Sequence, residues 1–117
     1  MHTVLVVDDD RTLRALMTRT LSAKGYRVVE ASDGIEALDR LAADPEIELV
    51  VTDIVMPRMN GVELAQQLAA SARARLLFVS AYGKDYTELP ASLLEKPFSI
   101  DALVAEVDRL LEVQTQG

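Results

Sequence analysis

The sequence predicts an α/β domain in which a parallel sheet of five strands is covered by helices on both faces. Five short, nearly continuous apolar runs alternate with segments whose apolar residues recur at helical spacing. This alternation is typical of a doubly wound sheet, whose strands are buried on both sides. No linker, repeat or low-complexity segment interrupts it. We therefore predict one domain over residues 1–117, with its core from about residue 3 to residue 113.

The first strand and helix are predicted from the start of the chain. Residues 3–8 (TVLVVD) are rich in β-branched side chains, which favour a buried strand. The apolar period then becomes helical, and Gly25 supplies a stop signal. The predicted apolar positions of this helix are Leu13, Leu16, Met17, Thr20 and Leu21.

The second strand and helix follow the same scheme. Residues 26–31 (YRVVEA) predict a short strand, and Asp33 is suited to cap the next helix. That helix should end before Asp44, because a residue that precedes proline avoids the helical conformation. Its predicted apolar face comprises Ile35, Leu38, Leu41 and Ala42.

Three further strands are predicted at residues 47–53 (IELVVTD), 75–80 (RLLFVS) and 93–96 (LLEK). A third helix over residues 61–71 should bury Val62, Leu64, Ala65, Leu68 and Ala69. Residues 83–92 are polar and contain a proline, so they predict at most a turn or two of helix. Ser99 should cap a last helix with an apolar stripe of Ile100, Leu103, Val104, Val107, Leu110 and Leu111.

Composition excludes several classes of function. The chain has no cysteine, so neither a disulfide framework nor a thiolate zinc site is available. Twelve basic against 19 acidic residues give a net charge of −7, which disfavours direct nucleic-acid binding. No apolar run is long enough to cross a membrane, and the first residues lack the pattern of a secretory signal. We expect a cytoplasmic protein.

Polar side chains stand where the predicted strands end. Asp8, followed by Asp9, ends the first strand, Asp53 the third, Ser80 the fourth and Lys96 the fifth. Carboxyl ends of parallel strands meet at one edge, so these groups should converge in one crevice. Clustered carboxylates repel one another, and a hard divalent cation such as Mg²⁺ relieves the repulsion. The set therefore predicts phosphoryl transfer to Asp53, with Ser80 and Lys96 placed to bind phosphoryl oxygens.

Each residue taken alone also fits a structural role. Asp53 is suited to closing a loop, and Asp10 to capping the first helix. A serine at a strand end and a lysine near the surface need have no ligand, which applies to Ser80 and Lys96. The four strand-end positions together favour the functional interpretation.

Four motifs, VLVVDDD, VVTDIVMPRMNG, FVSA and EKPF, resemble in order those of the response-regulator receiver domain of two-component signalling. The resemblance extends from residue 3 to about residue 113. It implies a flavodoxin-like sheet of order 2-1-3-4-5. It also implies Asp53 as phosphoacceptor and Mg²⁺ (or Mn²⁺) held by Asp8, Asp9, Asp53 and the backbone carbonyl of Val55. Ser80 and Lys96 would contact the phosphoryl group, and a cis bond would precede Pro97.

The resemblance further implies a signalling switch rather than an enzyme. A histidine kinase or a histidine phosphotransfer protein would donate the phosphoryl group, and a downstream protein or attached effector would respond. By the same resemblance, the basic residues of the first helix are candidates for the docking surface, although an ordinary solvated helix face explains them equally well. These residues are Arg11, Arg14, Arg19 and Lys24.

Two features depart from the family pattern. Leu93 occupies the position, three before the lysine, where family members usually have an aromatic switch residue. Only fifteen residues separate Ser80 from Lys96, so the helix there, the fourth of the family fold, should be shortened. In this shortened region the chain resembles single-domain receivers and the receiver domains of hybrid histidine kinases. The shortening also favours a monomer over the dimers that are common in the family.

Two other functions stay open. The segment VVDDDRT also fits the Asp-x-Asp-x-Thr motif of haloacid-dehalogenase-like phosphohydrolases, with Asp8 as nucleophile and Asp10 as general acid. The chain is short for that fold, and no acidic pair follows the fourth strand. A third possibility is an interaction module that works without phosphorylation, against which the complete set of site residues argues.

Overall fold

The computed structural model describes residues 2–54, 59, 63–67, 74–80 and 92–116, with Ser80 and residues 112–116 described by their backbone alone. The strands are β1 (Thr3–Val7), β2 (Arg27–Ala31), β3 (Ile47–Asp53), β4 (Arg75–Ser80) and β5 (Ser92–Glu95). The helices are α1 (Arg11–Ala23), α2 (Gly34–Ala43), α3 (helical over 63–67) and α4 (Ile100–Gln116).

The five strands form one parallel sheet of order β2-β1-β3-β4-β5, which confirms the predicted fold class. The predicted bounds of β3 and β4 are correct. β5 ends at Glu95 instead of Lys96, and β1 ends at Val7, so Lys96 and Asp8 each follow their strand directly. The connection from β4 to β5 comprises residues 81–91, in agreement with the predicted shortening of the helix at this point. The predicted turns over 83–92 lie almost entirely outside the described residues.

Both faces of the sheet are covered by helices. On one face, Val4 and Val6 of β1 pack with apolar residues of α1 and α4, including Met17 and Leu103. On the other face, Leu5 and Val7 pack with α2 and α3. Central strands that are buried on both sides explain the continuous apolar runs of the sequence.

An extra residue in β3 sets the register at the start of the sheet. Thr3 pairs with Ile47, whereas Val4 pairs with Leu49, so Glu48 lies in the irregularity. The Glu48 carboxylate contacts His2 Nδ1 at 2.8 Å. After this shift, Leu49 and Val51 face the same core as Val4 and Val6.

The predicted helix caps are present. Asp10 accepts hydrogen bonds from the backbone N–H groups of Thr12 (3.0 Å) and Leu13 (3.2 Å). Asp33 caps α2 through Glu36 N at 2.9 Å, and Ser99 caps α4 through Ala102 N. Gly25, which follows α1, has a φ of 98°, a conformation that glycine adopts without strain.

The predicted apolar face of α2 was partly wrong. Ile35 is 40% exposed and Ala42 is exposed, whereas Gly34, Ala37 and Leu41 are buried. The helix packs through Gly34, Ala37 and Leu41, and this orientation turns Ile35 and Ala42 toward solvent. In α1, Leu16 is 43% exposed, although Met17 and Leu21 are buried as predicted. Of the predicted third helix, the buried residues Leu64 and Ala65 are described, and the other inward positions lie outside the described residues.

No helix in the described part of the chain is long and apolar enough to cross a membrane.

Candidate functional site

The carboxyl edge of the sheet brings three aspartates together. β1 and β3 are neighbours in the sheet, and Val7 of β1 pairs with Thr52 of β3. Asp8, which follows β1, therefore lies beside Asp53, the last residue of β3. Carboxylate oxygens of Asp8, Asp9 and Asp53 all lie within 4.8 Å of one another. The convergence predicted for these three residues is therefore present.

Asp8 is fully buried and is held from several directions. Its backbone N–H donates to Ala31 O of β2 at 3.2 Å. Its Oδ1 accepts from the backbone N–H of Asp10 at 2.8 Å, and its carbonyl accepts from Arg14 Nη1 at 2.8 Å. These contacts fix the start of the β1–α1 connection, and Asp10 takes part both as helix cap and as a donor to Asp8.

Lys96 bridges the two buried carboxylates. Its Nζ lies 2.8 Å from Asp53 Oδ2 and 3.2 Å from Asp8 Oδ2. The lysine side chain is 21% exposed, and the Asp53 side chain is 12% exposed. The ammonium therefore lies at the mouth of the crevice, in contact with both carboxylates. The peptide bond from Lys96 to Pro97 is cis, as the resemblance implied.

The crevice shifts the pKa of two of its groups. Burial raises the pKa of the Asp8 carboxyl above its usual value, and the charge of Asp53 adds to this effect. The hydrogen bond from Asp10 and the charge of Lys96 oppose the rise without cancelling it. Burial alone would lower the pKa of Lys96, but its hydrogen bond to Asp53 and the two negative charges outweigh burial and raise it.

The donor set fits a hard divalent cation. Among the residues that the structure describes, three carboxylates face one ammonium, which leaves a surplus of negative charge in this set. Oxygen donors of this kind are those that Mg²⁺ prefers, and Asp9 is exposed to solvent. The raised pKa of Asp8 indicates that its charge is incompletely compensated by protein groups alone.

The other predicted site residues are described less fully. Ser80 ends β4 and pairs with Glu95, the residue before Lys96, so its backbone lies at the same edge of the sheet. Val55 lies outside the described residues. Leu93, at the position of the family's aromatic switch, is half-buried and packs against the cluster of Ile54, Ala65 and Phe78.

The sequence pattern missed one contact of the site. Arg14 was assigned only to a basic helix face, yet its guanidinium binds the Asp8 carbonyl and Glu30 Oε1, the latter at 3.1 Å. Beside the crevice, α1 and the segment after Lys96 enclose a groove of about 460 Å³. Leu13, Leu16, Phe98 and Ile100 are among its lining residues.

Comparison with known proteins gives one consistent family. A family model described as "Response regulator receiver domain" matches residues 4–108. The response regulator MprA of Mycobacterium tuberculosis is 39% identical over 115 residues, which cover 92% of this chain and 50% of the relative. MprA of Mycobacterium avium matches to the same extent. The chain thus spans half the length of the curated relatives it matches.

Solved structures agree with the sequence comparison. The receiver domain of the hybrid histidine kinase CckA is 32% identical with a TM-score of 0.80, covering 92% of this chain and 96% of that one. The response regulator TrrA of Thermotoga maritima, solved in complex with Mg²⁺-BeF, is 31% identical with a TM-score of 0.86. This match covers 94% of the present chain and 99% of TrrA.

Proposed function

Because this chain belongs to the response-regulator receiver domain family, we propose that it is the phosphoacceptor of a two-component phosphorelay, with Asp53 as the residue phosphorylated. The observation that carries this proposal is the contact of Lys96 with both Asp53 and Asp8, beside the carboxylate of Asp9. A strand-end aspartate with only a structural role needs neither a bridging lysine nor two further carboxylates.

In the proposed reaction, a carboxylate oxygen of Asp53 attacks the phosphorus of a phosphohistidine on a histidine kinase or phosphotransfer protein. The new oxygen–phosphorus bond replaces the nitrogen–phosphorus bond, and the electron pair of the broken bond returns to the imidazole. Asp8, Asp9 and Asp53, together with the Val55 carbonyl implied by the resemblance, would hold Mg²⁺ or Mn²⁺. The cation would supply positive charge to the phosphoryl oxygens. The structure of the similar protein TrrA in complex with Mg²⁺-BeF supports this proposal by analogy.

Lys96 supplies a second positive charge next to Asp53. Its ammonium is already 2.8 Å from Asp53 Oδ2, so a short movement brings it to an oxygen of the new phosphoryl group. Ser80, at the end of the neighbouring strand, supplies a hydroxyl for the same group. The added negative charge then draws these two residues toward Asp53 and biases the adjoining loops between two arrangements.

The domain is proposed to be a cytoplasmic switch rather than an enzyme, acting on a downstream protein or an attached effector. The MprA relatives are about twice as long as this chain, which leaves room for such an effector in a longer protein. We also propose a monomer, since the β4–β5 connection is short. For docking of the kinase, Arg11 and Arg19 are exposed on α1, but Arg14 is engaged in the contacts described above.

The phosphohydrolase alternative receives little support from the geometry. Asp10, which would be the general acid, uses its Oδ1 to cap α1. Asp8, which would be the nucleophile, is fully buried and has both carboxylate oxygens in hydrogen bonds.

Intact-mass measurement after incubation with a small acyl phosphate and Mg²⁺ tests the proposal. We expect a single phosphoryl adduct on the wild type and none on Asp53→Asn. An adduct or turnover that survives Asp53→Asn but is lost in Asp8→Asn would favour the phosphohydrolase. Absence of any adduct on a wild type that binds Mg²⁺ would favour the interaction module.

A further inference from the structure

The β1–α1 connection is held by Arg14, in the first turn of α1. Arg14 Nη1 donates to the Asp8 carbonyl at 2.8 Å, and Arg14 Nε donates to Glu30 Oε1 of β2 at 3.1 Å. The Arg14 side chain is 17% exposed and the Glu30 side chain 43%, so the contact with the Asp8 carbonyl is the better shielded of the two. One guanidinium thus joins α1, β2 and the peptide unit between the two acidic residues Asp8 and Asp9.

We propose that Arg14 is a positioning residue, which orients the Asp8–Asp9 peptide so that both carboxylates face the cation site, and that Glu30 fixes the guanidinium. This inference rests on the proposed function of the same site. It concerns a residue that does not itself contact the cation or the phosphoryl group.

The position of Asp9 depends most on this contact. Asp8 has its own anchors, because its two carboxylate oxygens accept from Asp10 N and Lys96 Nζ. Asp9 is exposed, and no described residue hydrogen-bonds its carboxylate. Rotation of the peptide between the two residues would move Asp9 away from the cluster while leaving the Asp8 carboxylate in place. The bond from Arg14 to the carbonyl of that peptide opposes the rotation.

The geometry requires an arginine. Nη1 and Nε of the guanidinium donate in two directions at once, to a main-chain carbonyl and to a carboxylate. A lysine ammonium at the end of a flexible chain keeps the charge but lacks this fixed fork. The Glu30 carbonyl in turn accepts from Arg40 Nε at 3.2 Å, so the residue that fixes Arg14 is itself bound to α2.

The test measures the dissociation constant of Mg²⁺ by calorimetric titration of the unphosphorylated protein. Variants Arg14→Met, Arg14→Lys and Glu30→Gln are compared with Arg19→Met, which removes the same charge from an exposed position of the same helix. Removing a positive charge should by itself strengthen cation binding, and a lost supporting contact weakens it. The two effects therefore differ in sign.

We expect Arg14→Met to weaken Mg²⁺ binding about 10-fold or more, the usual effect of losing a group that orients metal ligands. Arg14→Lys should weaken Mg²⁺ binding severalfold although it keeps the positive charge. Glu30→Gln should weaken Mg²⁺ binding by a smaller factor than Arg14→Lys. Arg19→Met should leave the affinity equal or slightly stronger. Amide hydrogen exchange of the Mg²⁺-free protein should be faster at Asp9 in Arg14→Met than in Arg19→Met.

The outcomes separate this inference from the proposal on which it rests. If Arg14→Met does not fold, the milder Arg14→Lys decides the question by the same measurement. Unchanged Mg²⁺ affinity in folded Arg14 variants, with a lowered thermal midpoint as the only effect, would overturn the positioning role and leave the phosphoacceptor proposal intact. A wild type that fails to bind Mg²⁺ would overturn the metal site itself.

Discussion

Gly34, the first residue of α2, lies so close to Met59 that a methyl group in its place should destabilise the protein. A Cβ at Gly34 would lie 2.7 Å from Met59 Cγ, 2.8 Å from Met59 Cβ and 2.8 Å from Met59 O. A methionine side chain can rotate away, but the carbonyl accepts from the Gly34 N–H at 3.3 Å and has little freedom to move. Overpacking of this kind costs about 1–3 kcal/mol.

An opposing effect limits the magnitude. Alanine is favoured over glycine by up to about 1 kcal/mol inside a helix, and by less in the first turn. The steric cost exceeds this gain, so we expect Gly34→Ala to lower the free energy of unfolding by about 1–2 kcal/mol. For a domain of this size that corresponds to a thermal midpoint lower by roughly 5 °C.

Thermal unfolding followed by circular dichroism, without Mg²⁺, measures this effect. Met59→Ala and the double variant complete a cycle, in which removing Cγ should recover about 0.5–1 kcal/mol of the loss in Gly34→Ala. Gly25→Ala is a matched control, because its φ of 98° strains any side chain while no atom lies within 4 Å of an added Cβ. Its loss should be independent of Met59. A Gly34→Ala variant as stable as the wild type or more stable would refute the reasoning, because helix propensity alone predicts that result.

Three further predictions concern the crevice. Folding raises the pKa of the Asp8 carboxyl, so the folded state binds the carboxyl proton more tightly than the unfolded state does. The stability that the protonated carboxyl contributes is lost as pH rises through the folded pKa. Asp8→Asn should therefore raise the thermal midpoint of the Mg²⁺-free protein at pH 7, by a margin that shrinks in acid. A variant less stable than the wild type at neutral pH would contradict this. Asp10→Ala should lower the free energy of unfolding by about 1 kcal/mol through loss of the α1 cap, and phosphorylation should survive in it; loss of phosphorylation in a folded variant would count against a capping role alone. Lys96→Met removes the ammonium between Asp8 and Asp53. Mg²⁺ affinity should therefore rise severalfold in titrations, while the Mg²⁺-free protein loses stability. Weaker Mg²⁺ binding would show instead that Lys96 orients the carboxylates.

The sequence was sufficient to predict the strands and the aspartates at their ends. Their positions follow from chain order, because parallel strands bring their carboxyl ends to one edge whatever the details of packing. Asp8, Asp53 and Lys96 therefore meet although the last two are 43 positions apart in the sequence. The caps Asp10, Asp33 and Ser99 were also predictable, because each acts within one helical turn.

The contacts that the sequence did not predict depend on how the helices are rotated against the sheet. The bond from Arg14 to Glu30 joins residues 16 apart, through a rotamer that no periodicity encodes. The face of α2 was misjudged for a related reason. The close approach of Gly34 to Met59 and the burial of Ala37 turn the small residues inward, and Ile35 is left exposed.

Chemical trapping of the acyl phosphate would identify the residue that receives the phosphoryl group, which we propose to be Asp53. Borohydride reduces an aspartyl phosphate to homoserine, and tryptic cleavage after Arg40 and Arg58 would release residues 41–58, which contain Asp44 and Asp53. Fragmentation of this peptide by mass spectrometry distinguishes the two aspartates. We expect homoserine at position 53 alone, dependent on Mg²⁺ and on the acyl phosphate. Homoserine at position 8 or 9 in place of position 53, or no homoserine in a protein that binds Mg²⁺, would contradict phosphorylation of Asp53.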